Sequence, residues 1–179
     1  MLDSLITSKT RIKLLLKFFL NPETKGYLRG LADEFGESTN AVRIELNRLA
    51  EAGLLEMSSE GRTKIYQANT KHNLFRDLQN IVQKFVGIDQ IVEHVVAKLG
   101  NVKLALITGD YARGIDSGII DLVVVGEVDK FYLSKLVEKS EKLIKRKIRT
   151  LVLSEDDYSL YQQKIKNEKA LVVWELVKY

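Results

Sequence analysis

The chain has 179 residues, with 28 Lys plus Arg against 24 Asp plus Glu and 45% hydrophobic residues. This is a globular composition with room for one large or two small domains, and a net charge of +4 permits a nucleic-acid partner without requiring one. Cysteine is absent and the only histidines are His72 and His94, which excludes disulfides, thiolate metal sites, cysteine nucleophiles and histidine-rich metal centres; no metal and no cofactor is expected.

Ile12, Leu15, Leu16 and Phe19 recur at helical spacing behind Ser8, a candidate cap, and Asn21-Pro22 stops that helix. Lys13 and Lys17 interrupt the apolar run at this point, no small-residue cleavage site follows, and no stretch reaches the ~18 apolar residues of a membrane span. A cytoplasmic protein without membrane contact is therefore expected. Leu28, Leu31, Ala32 and Phe35 predict a second helix closed by Gly36. Ser38-Thr39-Asn40 opens a third, with Val42, Leu46, Leu49 and Ala50 as its apolar stripe and Gly53 at its end. Leu54–Met57 and Lys64–Gln67 read as short strands joined by a turn over 58–63. Helix, helix, tight turn, helix, hairpin is the order of a winged helix-turn-helix domain.

Residues 71–99 carry a long helical signal, broken at Gly87, that suits a connector between domains and a surface for a second subunit. From residue 100 the period changes. Val102–Ile107, Ile119–Val125 and Ile148–Leu153 read as strands, Phe131–Ile144 and Tyr158–Ile165 as helices, and Ala170–Trp174 as a short apolar run. The predicted class is α+β: a winged helix over 1–70, connecting helices over 71–99, and an α/β domain over 100–179.

On a helical wheel the third helix presents Asn40, Ile44 and Asn47 opposite its apolar stripe, flanked by Arg43 and Arg48. Asn can pair with adenine and Arg with guanine, and Ile44 suits a thymine methyl group. Ser38 and Thr39 sit where helix-terminal N–H groups attract phosphate, and Arg62 and Lys64 on the hairpin would reach the adjacent backbone. The candidate DNA-binding residues are thus Ser38, Thr39, Asn40, Arg43, Ile44, Asn47, Arg62 and Lys64. An ordinary solvated face is the alternative, since residues 1–70 hold ten basic and nine acidic side chains. Leu31-Ala32, the run Ser38–Leu49, Gly53-Leu54-Leu55 and the basic turn at Gly61-Arg62 resemble winged-helix bacterial transcription regulators over residues 8–70. That resemblance implies double-stranded DNA as partner and a homodimer on a symmetric operator.

Thr108–Gly114, followed by Ile119–Val125, resembles the minimal nucleotidyltransferase family over residues 100–155. Family members carry a Gly-Ser pair after the first strand and Asp-x-Asp on the next, whose two carboxylates share one face and hold metal ions. Here Ile119 stands two residues before Asp121, Asp110 replaces the serine, and Ile148–Leu153 has no carboxylate. The resemblance therefore implies a degenerate domain with no catalytic and no metal-binding residues. Gly109, Asp110, Arg113 and Asp121 remain as a candidate pocket for a nucleotide or small-molecule effector. Five cations between Lys142 and Arg149 read as a solvated helix end balanced by Glu138 and Glu141. The expected function is a sequence-specific DNA-binding transcriptional regulator, not an enzyme, with the C-terminal domain as sensor or assembly module. The alternative is an active nucleotidyltransferase of toxin–antitoxin type that uses its winged helix as a targeting module. A third reading is a winged helix that binds protein alone.

Overall fold

The computed structural model describes residues 6–167 and 169–176. The chain has a mixed α+β fold divided into two compact units, Met1–Phe85 and Val86–Tyr179. No helix among the described residues is long and apolar enough to cross a membrane.

In the first unit, α1 (Lys9–Leu15) starts at Ser8, whose Oγ accepts from the Arg11 N–H at 3.2 Å. It continues as a π-helical stretch over Leu16–Leu20, where every side chain is buried. Lys17 is carried inside with them, and its ammonium donates to both carboxylate oxygens of Glu34 at 2.8 Å. A buried charge must be paired in this way, because taking it out of water unpaired costs several kcal/mol. A two-residue strand, β1 (Gly26–Tyr27), leads directly into α2 (Leu28–Phe35), and α3 (Thr39–Glu51) follows from Ser38. Leu14, Phe18, Phe19, Leu31, Val42 and Leu46 form the core, each at most 2% exposed. The hairpin of β2 (Leu55–Glu60) and β3 (Thr63–Ala68) turns on Gly61 and Arg62, and β1 pairs antiparallel with β3 to give the sheet order β1-β3-β2. Both hairpin strands run further toward the turn than the sequence pattern shows. Their outer halves are polar and exposed, so backbone pairing alone carries them. The helix α4 (Phe75–Val86) follows, and the unit boundary falls before its last residue.

In the second unit, α5 (Ile88–Ile91) runs through a π-helical turn at Val92–Val96 and closes as Ala97–Leu99. Strands β4 (Val102–Thr108), β5 (Ile119–Gly126), β6 (Lys147–Leu153) and β7 (Leu171–Glu175) form one sheet in the order β6-β5-β4-β7. Strand β4 is antiparallel to β5 and β7, whereas β5 and β6 are parallel. A parallel pair needs a crossover, supplied here by α7 (Lys130–Ile144). One face of the sheet buries Leu106, Val123, Val125 and Leu153 against Ile165 and Tyr158 of α8 (Glu155–Asn167). The apolar run at 170–174 is the edge strand β7. Between β4 and β5 lies the single helical turn α6 (Gly109–Ala112) with the loop that follows it.

Candidate functional site

The register of the second sheet places Thr108 opposite Asp121, and Asp121 opposite Arg149, in one row across β4, β5 and β6. The Arg149 guanidinium donates to both oxygens of Asp121, through Nε at 2.6 Å and a terminal nitrogen at 2.9 Å. This is the two-point geometry that also suits phosphate. Gly109, at φ 66°, turns the chain out of β4. A Cβ there would lie 2.5 Å from Asp121 Oδ2, so the absent side chain is what lets the carboxylate close over the loop. Asp110 follows at once, hydrogen-bonded by Arg113 at 2.5 Å. Arg113 and then Ser117 hold the Asp110 carboxyl below the ordinary carboxylate range. The pocket residues expected from the sequence are therefore brought together: Gly109 and Asp121 by direct approach, Asp110 and Arg113 by an ion pair. Two carboxylates and two guanidiniums share one end of the sheet.

Arg149 is the member that the sequence pattern misses. Only the parallel register of β6 on β5 brings it to Asp121, and no local spacing announces that register. A second brace holds the loop from below. Tyr111 is fully buried, and its hydroxyl donates to Asp116. Arg146 donates to the same carboxylate from Nε at 3.0 Å and from a terminal nitrogen at 2.5 Å. Burial pushes the Asp116 carboxyl up, but hydrogen bonds from Arg146 and Tyr111 outweigh it and hold the group below its ordinary range. Burial and then the Asp116 hydrogen bond push the Tyr111 hydroxyl up, so it stays protonated as a donor. Four of the five cations at 142–149 meet acids: Lys142 meets Glu138, Arg146 Asp116, Lys147 Glu141 and Arg149 Asp121.

In the first unit Ser38 is spent on capping, its Oγ accepting from the Ala41 N–H at 3.1 Å. Thr39, Asn40, Arg43, Ile44 and Asn47 are exposed on α3, and Arg62 and Lys64 on the hairpin. Arg43, Asn47, Arg62 and Lys64 line one groove together with Tyr27 and Arg29, which the sequence reading does not single out. Ser38, Thr39, Asn40 and Ile44 are not among its lining residues. Glu37 and Glu45 are turned to structural use. Glu45 is buried and takes Arg11 at 2.8 Å and Arg48 at 3.4 Å, while Glu37 pairs with Lys13 at 2.8 Å.

No family model matches the chain, and neither does any curated protein. Among solved structures, the chain is similar to a complex of a tri-AMPylated HEPN toxin with an MNT antitoxin from Shewanella oneidensis, at 15% identity over 50% of this chain and 71% of the other, with a TM-score of 0.38. It is also similar to the MntA–HepT toxin–antitoxin pair in a variant form, at 14% identity over 50% and 73%, with a TM-score of 0.42. A further similarity is to AF1382 from Archaeoglobus fulgidus, at 21% identity over 52% and 98%, with a TM-score of 0.38. These are likenesses of fold over about half of the chain.

They correct the expected function. The sequence predicts a sequence-specific DNA-binding transcriptional regulator that is not an enzyme, whereas the solved structures similar to this chain include toxin–antitoxin complexes, one of them with a tri-AMPylated toxin. The expectation of no activity rests on Ile119 in place of an acid, Asp110 in place of the serine and the absence of a carboxylate over 148–153; the parallel register that joins Arg149 to Asp121 is not legible in the sequence.

Proposed function

We propose that the second unit carries out nucleotidyl transfer as one component of a toxin–antitoxin-type pair, with the first unit as its targeting module. The observation that carries the reading is the row at the end of β4 and β5. Asp121 closes over Gly109, Asp110 stands beside it, and Arg113 and Arg149 flank the pair. The three helices and hairpin of the first unit follow the order of a winged helix, which supports its part as the targeting module.

An acceptor hydroxyl attacks the α-phosphorus of a nucleoside triphosphate. A new P–O bond forms as the bond to the bridging α–β oxygen breaks, and pyrophosphate leaves. Arg113 and Arg149 meet the negative charge of the phosphates, a role guanidiniums fill by two-point hydrogen bonding. Phosphate competes with Asp121 for Arg149, and the carboxylate so released accepts the proton of the attacking hydroxyl.

The family resemblance implies two divalent ions held by carboxylates at i and i+2 of a strand. Position 119 is isoleucine, and no group of three metal-ligating acids or histidines occurs among the described residues. The residues present do not fit a two-ion site.

The test is incubation with ATP labelled at the α-phosphate, and in parallel at the γ-phosphate, in magnesium buffer with the proteins encoded beside this chain. Label from the α-position on a protein, with none from the γ-position, is expected. Label from the γ-position with none from the α-position would mean phosphoryl transfer and overturn the assignment.

A further inference from the structure

A groove of about 930 Å³ lies wholly within the first unit, between α3, the turn of the hairpin and the junction of β1 with α2. Arg29, Arg43, Arg62 and Lys64 line it, and no carboxylate does. None of these four cations has an ion-pair partner among the described residues. Elsewhere in the unit, Arg11, Lys13, Lys17 and Arg48 each meet a glutamate. Four uncompensated cations around one recess repel each other, and a polyanion relieves that repulsion.

The groove also holds an aromatic side chain in fixed position. Tyr27 is 49% exposed, yet its ring lies on Gly30 of α2. A Cβ at Gly30 would stand 2.8 Å from the ring's Cζ and 3.1 Å from both Cε atoms. A glycine inside a helix costs roughly 0.5–1 kcal/mol relative to alanine. Here it makes the seat on which the phenol ring rests. One side of the ring is packed and the rest faces solvent, which is the form of a stacking platform.

The geometry points to a single-stranded nucleic acid as the occupant of this groove, its backbone followed by Arg29, Arg43, Arg62 and Lys64 and one base stacked on Tyr27. Cations tracking a backbone beside an aromatic platform are how single strands are held without sequence readout. A duplex is read by an element that protrudes into its groove, and it offers no unstacked base to a ring. Asn47, on the same side of α3 as Arg43, adds an amide for a base edge or a phosphate. The inference rests on the first unit alone and does not depend on transfer chemistry in the second.

Fluorescence anisotropy of the full chain with labelled oligonucleotides about 12 nucleotides long, single-stranded DNA, single-stranded RNA and the matching duplex, tests it. Single strands are expected to bind at least about tenfold tighter than the duplex, with a salt slope near 0.7 per phosphate engaged. Arg43→Ala should reduce that slope by about 0.7. Tyr27→Leu should weaken binding about tenfold at unchanged slope, and Tyr27→Phe, which keeps the ring on Gly30, should bind like the parent. Tighter binding of the duplex, absence of binding at low salt, or single-strand binding indifferent to Arg43→Ala and to Tyr27→Leu would each overturn the assignment.

Discussion

Asp116 shows how much one carboxylate can organise. It takes the Tyr111 hydroxyl and two nitrogens of Arg146, and so fixes the loop that presents Gly109, Asp110 and Arg113. Its side chain is 23% exposed and that of Arg146 15%, so the pair is largely but not wholly desolvated. Removing one partner should cost about 2 kcal/mol at neutral pH, less than the ~3–5 kcal/mol of a fully buried pair. Because the folded carboxyl lies below its ordinary value of 3.8, its contribution is present above that pH and is lost as pH falls through the folded value. Urea unfolding of Asp116→Asn between pH 7 and 3 should therefore show lower stability at pH 7 and a flatter acid limb. The flattening should be partial, since Asp110 and Glu45 are also held below their ordinary range. An acid limb parallel to that of the parent would contradict this. Ile119 gives a second prediction at this scale. It is 40% exposed and shares a strand face with Asp121, so Ile119→Asp should be tolerated and should create Mn²⁺ binding that the parent lacks, read by electron paramagnetic resonance. Equal Mn²⁺ uptake by parent and variant would show that the missing acid is not what keeps the ion out.

Elements with strong apolar periodicity are legible in the sequence, and those set by pairing are not. The helices around Leu15, Leu31, Leu46 and Leu133 lie where their stripes predict. By contrast, β1 is two residues long and has no period to read. It exists because Gly26 and Tyr27 pair with Tyr66 and Ile65. The partner of Asp121 was equally hidden, since the parallel register that brings Arg149 to it is a property of the sheet and not of either strand. The break at Gly87, by contrast, is legible, and the structure gives its reason. At φ 85° the residue occupies the left-handed region, and a Cβ would stand 2.6 Å from Ile144 Cγ2 of α7. Left-handed backbone costs roughly 1–2 kcal/mol for a residue with a side chain, and the clash adds to it. Gly87→Ala should lower the unfolding free energy by about 2–4 kcal/mol, measured by urea titration. An unchanged midpoint would contradict the close packing of Ile144 on the helix start.

At the scale of the molecule, charge is sorted within each unit. The first unit pairs Arg11, Lys13, Lys17 and Arg48 internally and leaves four cations around one groove. The second gathers Asp110, Asp121, Arg113 and Arg149 at one sheet end and pairs them with each other. A net charge of +4 conveys neither arrangement, which is why composition alone leaves both partner and chemistry open. The most direct measurement compares the chain with its Asp121→Asn variant for incorporation of α-labelled ATP into acceptor protein. Incorporation by the parent and at least about a 100-fold loss in the variant, with unfolding unchanged, is expected. No incorporation by the parent, or equal incorporation by both, would contradict nucleotidyl transfer at Asp121.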